Sequence, residues 1–212
     1  MPYAPKIRTY LMWFFSLGVA LVSLRFLIIG VEAGFSGVPE MAEHLKDRNL
    51  AFFLHISASP VALILGLFQF LPRLRANNPT LHRWTGRLYV LMVLIGGLAG
   101  LVLVFWAFDR PGAASGFGFL AIIWIGTTAQ AIRLAMAGRI AEHQRWMVRS
   151  YALTFAAVTL RLEMPFFFIL GGMDYAEVSN YVAWLCWVPN LIIAELYLRR
   201  CHGSGEANWA TG

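Results

Sequence analysis

Charge is what this 212-residue chain has least of: Asp, Glu, Lys and Arg together make up 13% of it, and only 11 residues are acidic. A surface of water-soluble character cannot be built from so few ionic groups. Cysteine is nearly absent. Cys186 and Cys201 are the only two, too few and too isolated for a disulfide framework or a metal finger. The chain contains no Gly-x4-Gly-Lys phosphate loop, no Gly-x-Gly-x-x-Gly pattern, no Gly-x-Ser-x-Gly elbow and no His-Glu-x-x-His. Soluble-enzyme chemistry of those kinds has no footing here. No internal repeat is visible either.

What is abundant is apolar sequence, with 59% hydrophobic residues and a mean hydropathy of +0.64. It falls into six stretches, drawn at 10–31, 51–71, 87–108, 117–138, 147–170 and 181–199. Each is close to the roughly 20 residues that cross about 30 Å of hydrocarbon as a helix. Backbone amides in lipid must be satisfied within the chain, so each stretch is expected to be α-helical. The expected fold class is all-α, a six-span transmembrane bundle filling residues 1–200 as one domain, with a flexible tail over 201–212.

Basic residues orient it. Lys6, Arg8, Arg73, Arg75, Arg83, Arg87, Arg133, Arg139, Arg145, Arg149, Arg199 and Arg200 occupy four alternate gaps between stretches. The other gaps hold only Lys46, Arg48 and Arg110, along with most of the acids. Basic loops stay on the cytoplasmic face, so both termini are expected inside. The net charge of +6 therefore reflects sidedness and an anionic inner leaflet of membrane lipids, and no nucleic-acid partner is implied. Lys6 and Arg8 before an apolar run resemble a signal peptide, but the run continues past Arg25 with no small-x-small cleavage site, which predicts a retained first helix. Trp13, Trp84, Trp106, Trp146, Trp184 and Trp187 are expected in the interfacial belts, and Trp124 inside. A short interfacial helix is expected over 39–45.

Polar residues within the spans are costly and therefore informative. At about 100° per residue, His55, Ser59, Ala62, Gly66, Gln69 and Arg73 share one helix face. His82, Gly86, Tyr89, Gly96 and Gly100 share another, and His143, Ser150, Thr154 and Arg161 a third. Gly96 and Gly100 form a small-xxx-small pair suited to close helix packing. His82 and His143 precede their spans on the arginine-rich side and are placed to face one another. Two such histidines suit the axial ligation of a b-type haem. Arg83, Arg87 or Arg145 would pair with the propionates, and Trp84 and Trp146 would flank the ring. His55, toward the outer side, would serve a second cofactor or a quinone. The alternative is that both inner histidines cap helices or bind lipid headgroups.

Arg161 and Glu163 form a second cluster. Two residues apart, they cannot share a helix face, so each needs a partner elsewhere. Arg25 is a candidate for Glu163, while Asn190, Glu195 and Gln69 add polarity. Pro165 and Pro189 are expected to kink the last two spans. This cluster suits a proton-coupled carrier, although such folds commonly carry internal repeats. A third reading is an accessory subunit that docks other membrane subunits through its glycine faces.

The strings His55-x4-Pro60, Gly66-x2-Gln69-Phe70 and Leu81-His82-Arg83-Trp84-Thr85-Gly86-Arg87-Leu88-Tyr89-Val90 resemble a bacterial membrane family, domain of unknown function 2306. The strings His143-Gln144-Arg145-Trp146-Met147-Val148-Arg149-Ser150, Ala157-Val158-Thr159-Leu160-Arg161 and Trp184-Leu185-Cys186-Trp187-Val188-Pro189-Asn190 with Glu195 continue the likeness over roughly residues 50–200. The resemblance implies a multi-pass protein of the bacterial inner membrane and supplies no activity. It marks His55, Gln69, His82, Arg83, Gly86, Arg87, His143, Trp146, Arg149, Arg161, Asn190 and Glu195 as positions matching the family pattern.

Overall fold

A computed structural model of the chain describes residues 4–34, 49–105 and 110–203, and every element among them is helical. In chain order these are α1 (Ala4–Gly34), α2 (Asn49–Gln69), α3 (Pro72–Asn77), α4 (Pro79–Val104), α5 (Pro111–Met136), α6 (Ile140–Thr154), α7 (Ala156–Gly171), α8 (Tyr175–Leu185) and α9 (Val188–Gly203). Five stretches are long and apolar enough to cross a membrane: Leu50–Gln69, Pro79–Val104, Pro111–Met136, Ile140–Gly171 and Tyr175–Cys201. A shorter apolar stretch covers Thr9–Arg25 of α1. The expected interfacial helix at 39–45, together with Trp106 and the tail beyond 203, lies outside the described residues.

Several helices begin earlier than hydropathy alone suggests. α4 starts at Pro79 rather than 87, because Pro79 fits the first helical turn and Asn78 caps it, accepting the Leu81 N–H at 3.1 Å. α5 starts at Pro111 rather than 117 for the same proline reason. α6 starts at Ile140 rather than 147. His82 and His143 therefore stand inside helices, not in the connections before them. The polar first turns extend these helices beyond the hydrocarbon layer, where hydropathy stops reporting them. α3, in the connection before α4, has no apolar signature and was not expected.

Two spans are interrupted. The fifth breaks at Phe155, between α6 and α7, and the sixth at Cys186 and Trp187, between α8 and α9. Pro189 accounts for the second break, since it has no N–H for the carbonyl one turn back. Pro165, expected to kink the fifth span, sits within an unbroken α7, as Pro60 does within α2. Trp187, expected at the headgroups, is instead 5% exposed because the sixth-span break brings it into the core. Trp124 is inside as expected, at 6% exposure.

Loops are short and ended by specific chemistry. Gly138 and Gly172 adopt φ of 72° and 59°, the left-handed conformation that stops α5 and α7. Asp174 accepts the Glu177 N–H at 2.8 Å while Glu177 reaches back, a capping box that starts α8. The fifth span is central to the packing: α6 lies against α2, α5 and α9, and α7 against α1 and α8.

The closest helix pair is α2 with α4, and their polar stripes form its seam. Gly100 and Gly96 pack on His55, Gly96 on Ser59, Gly66 on Tyr89 and Tyr151, and Gly86 on Gln69. The antiparallel order of these contacts is the one the two stripes predict. Glycine here lets the backbones approach so closely that a Cβ at Gly96 would sit 2.8 Å from the Ser59 Oγ.

Candidate functional site

Polar side chains collect at three levels of the bundle. At the arginine-rich end, Gln69 Nε2 donates to Thr85 Oγ1 at 2.9 Å and its carboxamide lies over Gly86. His143 Nδ1 meets the Ala131 carbonyl at 2.8 Å, which fixes that nitrogen as the N–H. His82 stands within electrostatic reach of His143, Arg75 and Arg83, so the two histidines do converge as their stripes predict. The Nδ1 of His82 is buried and makes no hydrogen bond. Arg87 lies over the Trp84 ring at 4.8 Å, and Arg149 over Trp146 at 4.8 Å. Arg149 also grips Glu195 with two bonds, Nε at 2.5 Å and Nη2 at 3.0 Å. Arg145 and Arg199 surround the same carboxylate. Glu195 is thus the counter-ion of an arginine cluster at one end of the bundle, joining α6 to α9.

At mid-bundle the groups are neutral and paired. Tyr89, with no exposed surface, joins Ser150 at 2.7 Å and Thr154 at 2.9 Å through its hydroxyl. Trp124 Nε1 donates to Thr154 Oγ1 at 2.8 Å, and Thr128 joins Ser150 at 2.7 Å. Sequence reasoning placed Tyr89, Ser150 and Thr154 on inward faces but missed this network. Trp124 and Thr128 lie in an otherwise apolar run, and nothing in their spacing announces a partner on α4 or α6.

The third level lies toward the other end. His55 Nδ1 meets the Gly96 carbonyl at 2.8 Å, and Arg161 is within electrostatic reach of both His55 and Arg25. Arg161 Nη1 donates to the Ala157 carbonyl at 2.9 Å, its own helix one turn back, and no carboxylate among the described residues pairs with it. Glu163 is not neutralised by Arg25. It faces the opposite side of α7, near Cys186, and one carboxylate oxygen is buried with no hydrogen bond. The two-residue spacing that forbids a shared face separates these charges as expected.

Between them stands Asn190. Its Nδ2 donates to Thr159 Oγ1 at 2.9 Å and to the Cys186 carbonyl at 2.9 Å, and reaches the Ala152 carbonyl at 3.4 Å. Thr159 Oγ1 meets Asn190 Oδ1 at 3.2 Å. Cys186 belongs to the break in the sixth span, and Ala152 to the turn in which α6 ends. One carboxamide therefore ties the two interruptions together.

The haem reading does not fit this arrangement. A macrocycle between His82 and His143 needs its ligands on opposite faces of an open slot. Two turns from the histidines, α4 and α6 are instead held one tyrosine apart by the Tyr89–Ser150 bond. One turn from His82, the Gln69 oxygen lies 3.1 Å from where a Gly86 Cβ would stand. The arginines expected for propionates are engaged elsewhere: Arg87 stacks on Trp84, and Arg145 faces Glu195. No group of three or more His, Cys, Asp or Glu among the described residues is arranged to hold a metal ion.

Interrupted apolar helices with inward polar groups and a lipid-compatible exterior define a multi-pass integral membrane protein. Residues 52–198 match the family described as Predicted membrane protein (DUF2306), and the chain belongs to that family. No curated protein and no solved structure matches the chain.

Proposed function

We propose that this protein is a proton-coupled carrier of the bacterial inner membrane, with Arg161, Glu163 and Asn190 at its working centre. Residues 1–200 form one domain that crosses six times, α1 supplying the first passage, with both termini and the 201–212 tail in the cytoplasm. The arginine-rich end, holding Arg83, Arg133, Arg145 and Arg199, is the cytoplasmic one on the positive-inside rule.

The observation that carries the carrier reading is the meeting of two interrupted spans at Asn190, with Arg161 and Glu163 on either side of α7. Irregular backbone at membrane depth is tolerated where it serves a cavity or a moving part, and broken helices mark the binding sites of many carriers. An intramembrane carboxyl with an unpartnered oxygen is a natural stopping place for a proton. The test is proton movement into liposomes that hold the purified protein and an entrapped pH dye. Inorganic phosphate, lactate and succinate are added outside in turn. The expected result is internal acidification with at least one solute, lost in Glu163→Gln. No acidification beyond protein-free vesicles with any solute retires the carrier. Phosphatase and fluorescent-protein fusions at both ends test the topology, and an active periplasmic phosphatase at either end overturns it.

A further inference from the structure

Arg161 carries five N–H donors in a rigid fork and no acceptor of its own. One donor goes to Ala157, a carbonyl already inside the helix ladder, and no carboxylate among the described residues takes the rest. Arg25 lies close enough to add positive potential at the same place, so this end of α7 carries uncompensated positive charge. An arginine so placed in a membrane costs several kcal/mol unless anion or water meets it. The guanidinium geometry matches carboxylate or phosphate oxygens in pairs.

His55 narrows the choice. A carbonyl only accepts, so the 2.8 Å contact with Gly96 makes His55 Nδ1 the donor. In neutral imidazole the other nitrogen, Nε2, is then an acceptor. Gly100 fixes the ring from the opposite side, since a Cβ there would stand 3.3 Å from Nδ1. The site therefore presents a donor fork on α7 and a hydrogen-bond acceptor on α2. The complement to that pair is an anion that also bears a hydroxyl.

We infer that Arg161 and His55 form a binding site for a small oxyanion carrying an O–H group, either hydrogen phosphate or a 2-hydroxycarboxylate. The oxyanion lies on the Arg161 fork, its hydroxyl donates to His55 Nε2, and Arg25 strengthens the attraction from α1. This rests on the carrier reading for the ligand being cargo, while the site itself stands on its own geometry. A site built to accept a hydroxyl rejects the analogue that lacks one, because its buried acceptor is left unpaired.

The experiment is equilibrium dialysis of the full-length protein in neutral detergent against radiolabelled inorganic phosphate, with sulfate, lactate and propionate as competitors. Phosphate is expected to bind, with lactate competing and sulfate and propionate at least tenfold weaker. Arg161→Gln is expected to weaken phosphate binding tenfold or more, and Gly100→Ala to weaken it by displacing the imidazole. Equal competition by sulfate and phosphate, no phosphate binding, or unchanged binding in a folded Arg161→Gln overturns the site. If Arg161→Gln does not fold, the phosphate-to-sulfate ratio of the unaltered protein and the Gly100→Ala result decide. Displacement by phosphatidylglycerol assigns the site to a lipid headgroup phosphate, and its absence to a free solute. Binding without proton-linked uptake retires the carrier and keeps the site. Uptake of a solute without oxyanion binding does the reverse.

Discussion

Replacing Asn190 with leucine, nearly the same size but without polar atoms, tests whether one side chain holds the two helix breaks together. The carboxamide donates at 2.9 Å to Thr159 and to the Cys186 carbonyl, with a longer reach of 3.4 Å to Ala152. Its two N–H groups satisfy two of these at a time. Interhelical hydrogen bonds in membranes average about 0.6 kcal/mol, with a maximum near 1.7. Two or three such bonds give a loss of about 1–3 kcal/mol, a factor of roughly 5 to 150 in the folded-to-unfolded ratio. The assay is denaturant unfolding in mixed micelles followed by far-UV circular dichroism, together with amide hydrogen exchange. Exchange is expected to rise selectively around 152–159 and 185–191. Thr159→Val removes one partner only, so it costs less, and the double variant falls short of the sum. Unchanged stability and unchanged exchange at both breaks would refute the idea that Asn190 joins them.

Three further outcomes follow from the packing. A Cβ at Gly116 would meet the Ala183 backbone at 2.7–2.8 Å, where no flexible group can yield, so Gly116→Ala forces α5 from α8. A destabilisation of about 1–3 kcal/mol is expected in the same unfolding assay, while Gly126→Ala, with nothing within 4 Å, is neutral or better; equal effects would count against the α5–α8 contact. Tyr89→Phe deletes the hydroxyl that joins Ser150 and Thr154 and should cost about 1–2 kcal/mol, measured alike, with no loss contradicting the network. Glu195→Gln leaves Arg145, Arg149 and Arg199 without their shared counter-ion; its midpoint should fall at low salt and recover as salt rises, and a salt-independent loss would show that packing is responsible instead.

The parts of this fold legible in sequence were those governed by the price of polarity in lipid. The stripe His55–Ser59–Gly66–Gln69 and its counterpart Gly86–Tyr89–Gly96–Gly100 identify, without coordinates, the two helices that pack most closely. The separation of Arg161 from Glu163 follows from helix geometry alone. Hydropathy failed at the helix ends, where Pro79 and Pro111 start helices in segments too polar to register. It also failed at the break at Phe155, which has no proline or glycine beside it, whereas Pro189 does mark the sixth-span break. Trp187 was misplaced for a related reason: distance from a span end is read along an unbroken helix, and this helix is broken. The haem reading rested on two histidines facing each other, which they do. The tyrosine between their helices closes the slot, and that tyrosine shared a stripe with His82 all along.

The three polar levels constrain how a carrier built on this frame can work. Charges sit at the arginine-rich end around Glu195 and toward the other end around Arg161, while the level between holds only neutral groups. There, Tyr89, Ser150, Thr154, Thr128 and Trp124 satisfy one another without a free donor among their buried atoms. Such a network is a plug, because inserting an ion or solute breaks several bonds and leaves buried groups unpaired. Two of its members, Ser150 and Thr154, stand on α6 immediately before the break at Phe155, and Asn190 fastens that break to the one at Cys186. A tilt of α6 against α7 about Phe155 would move these hydroxyls away from Tyr89 while Arg161, on the far side of the break, kept its place beside His55. The break thus lies where a hinge can open the plug without dismantling the α2–α4 seam, which Gly66 and Gly96 hold too tightly for the two helices to slide.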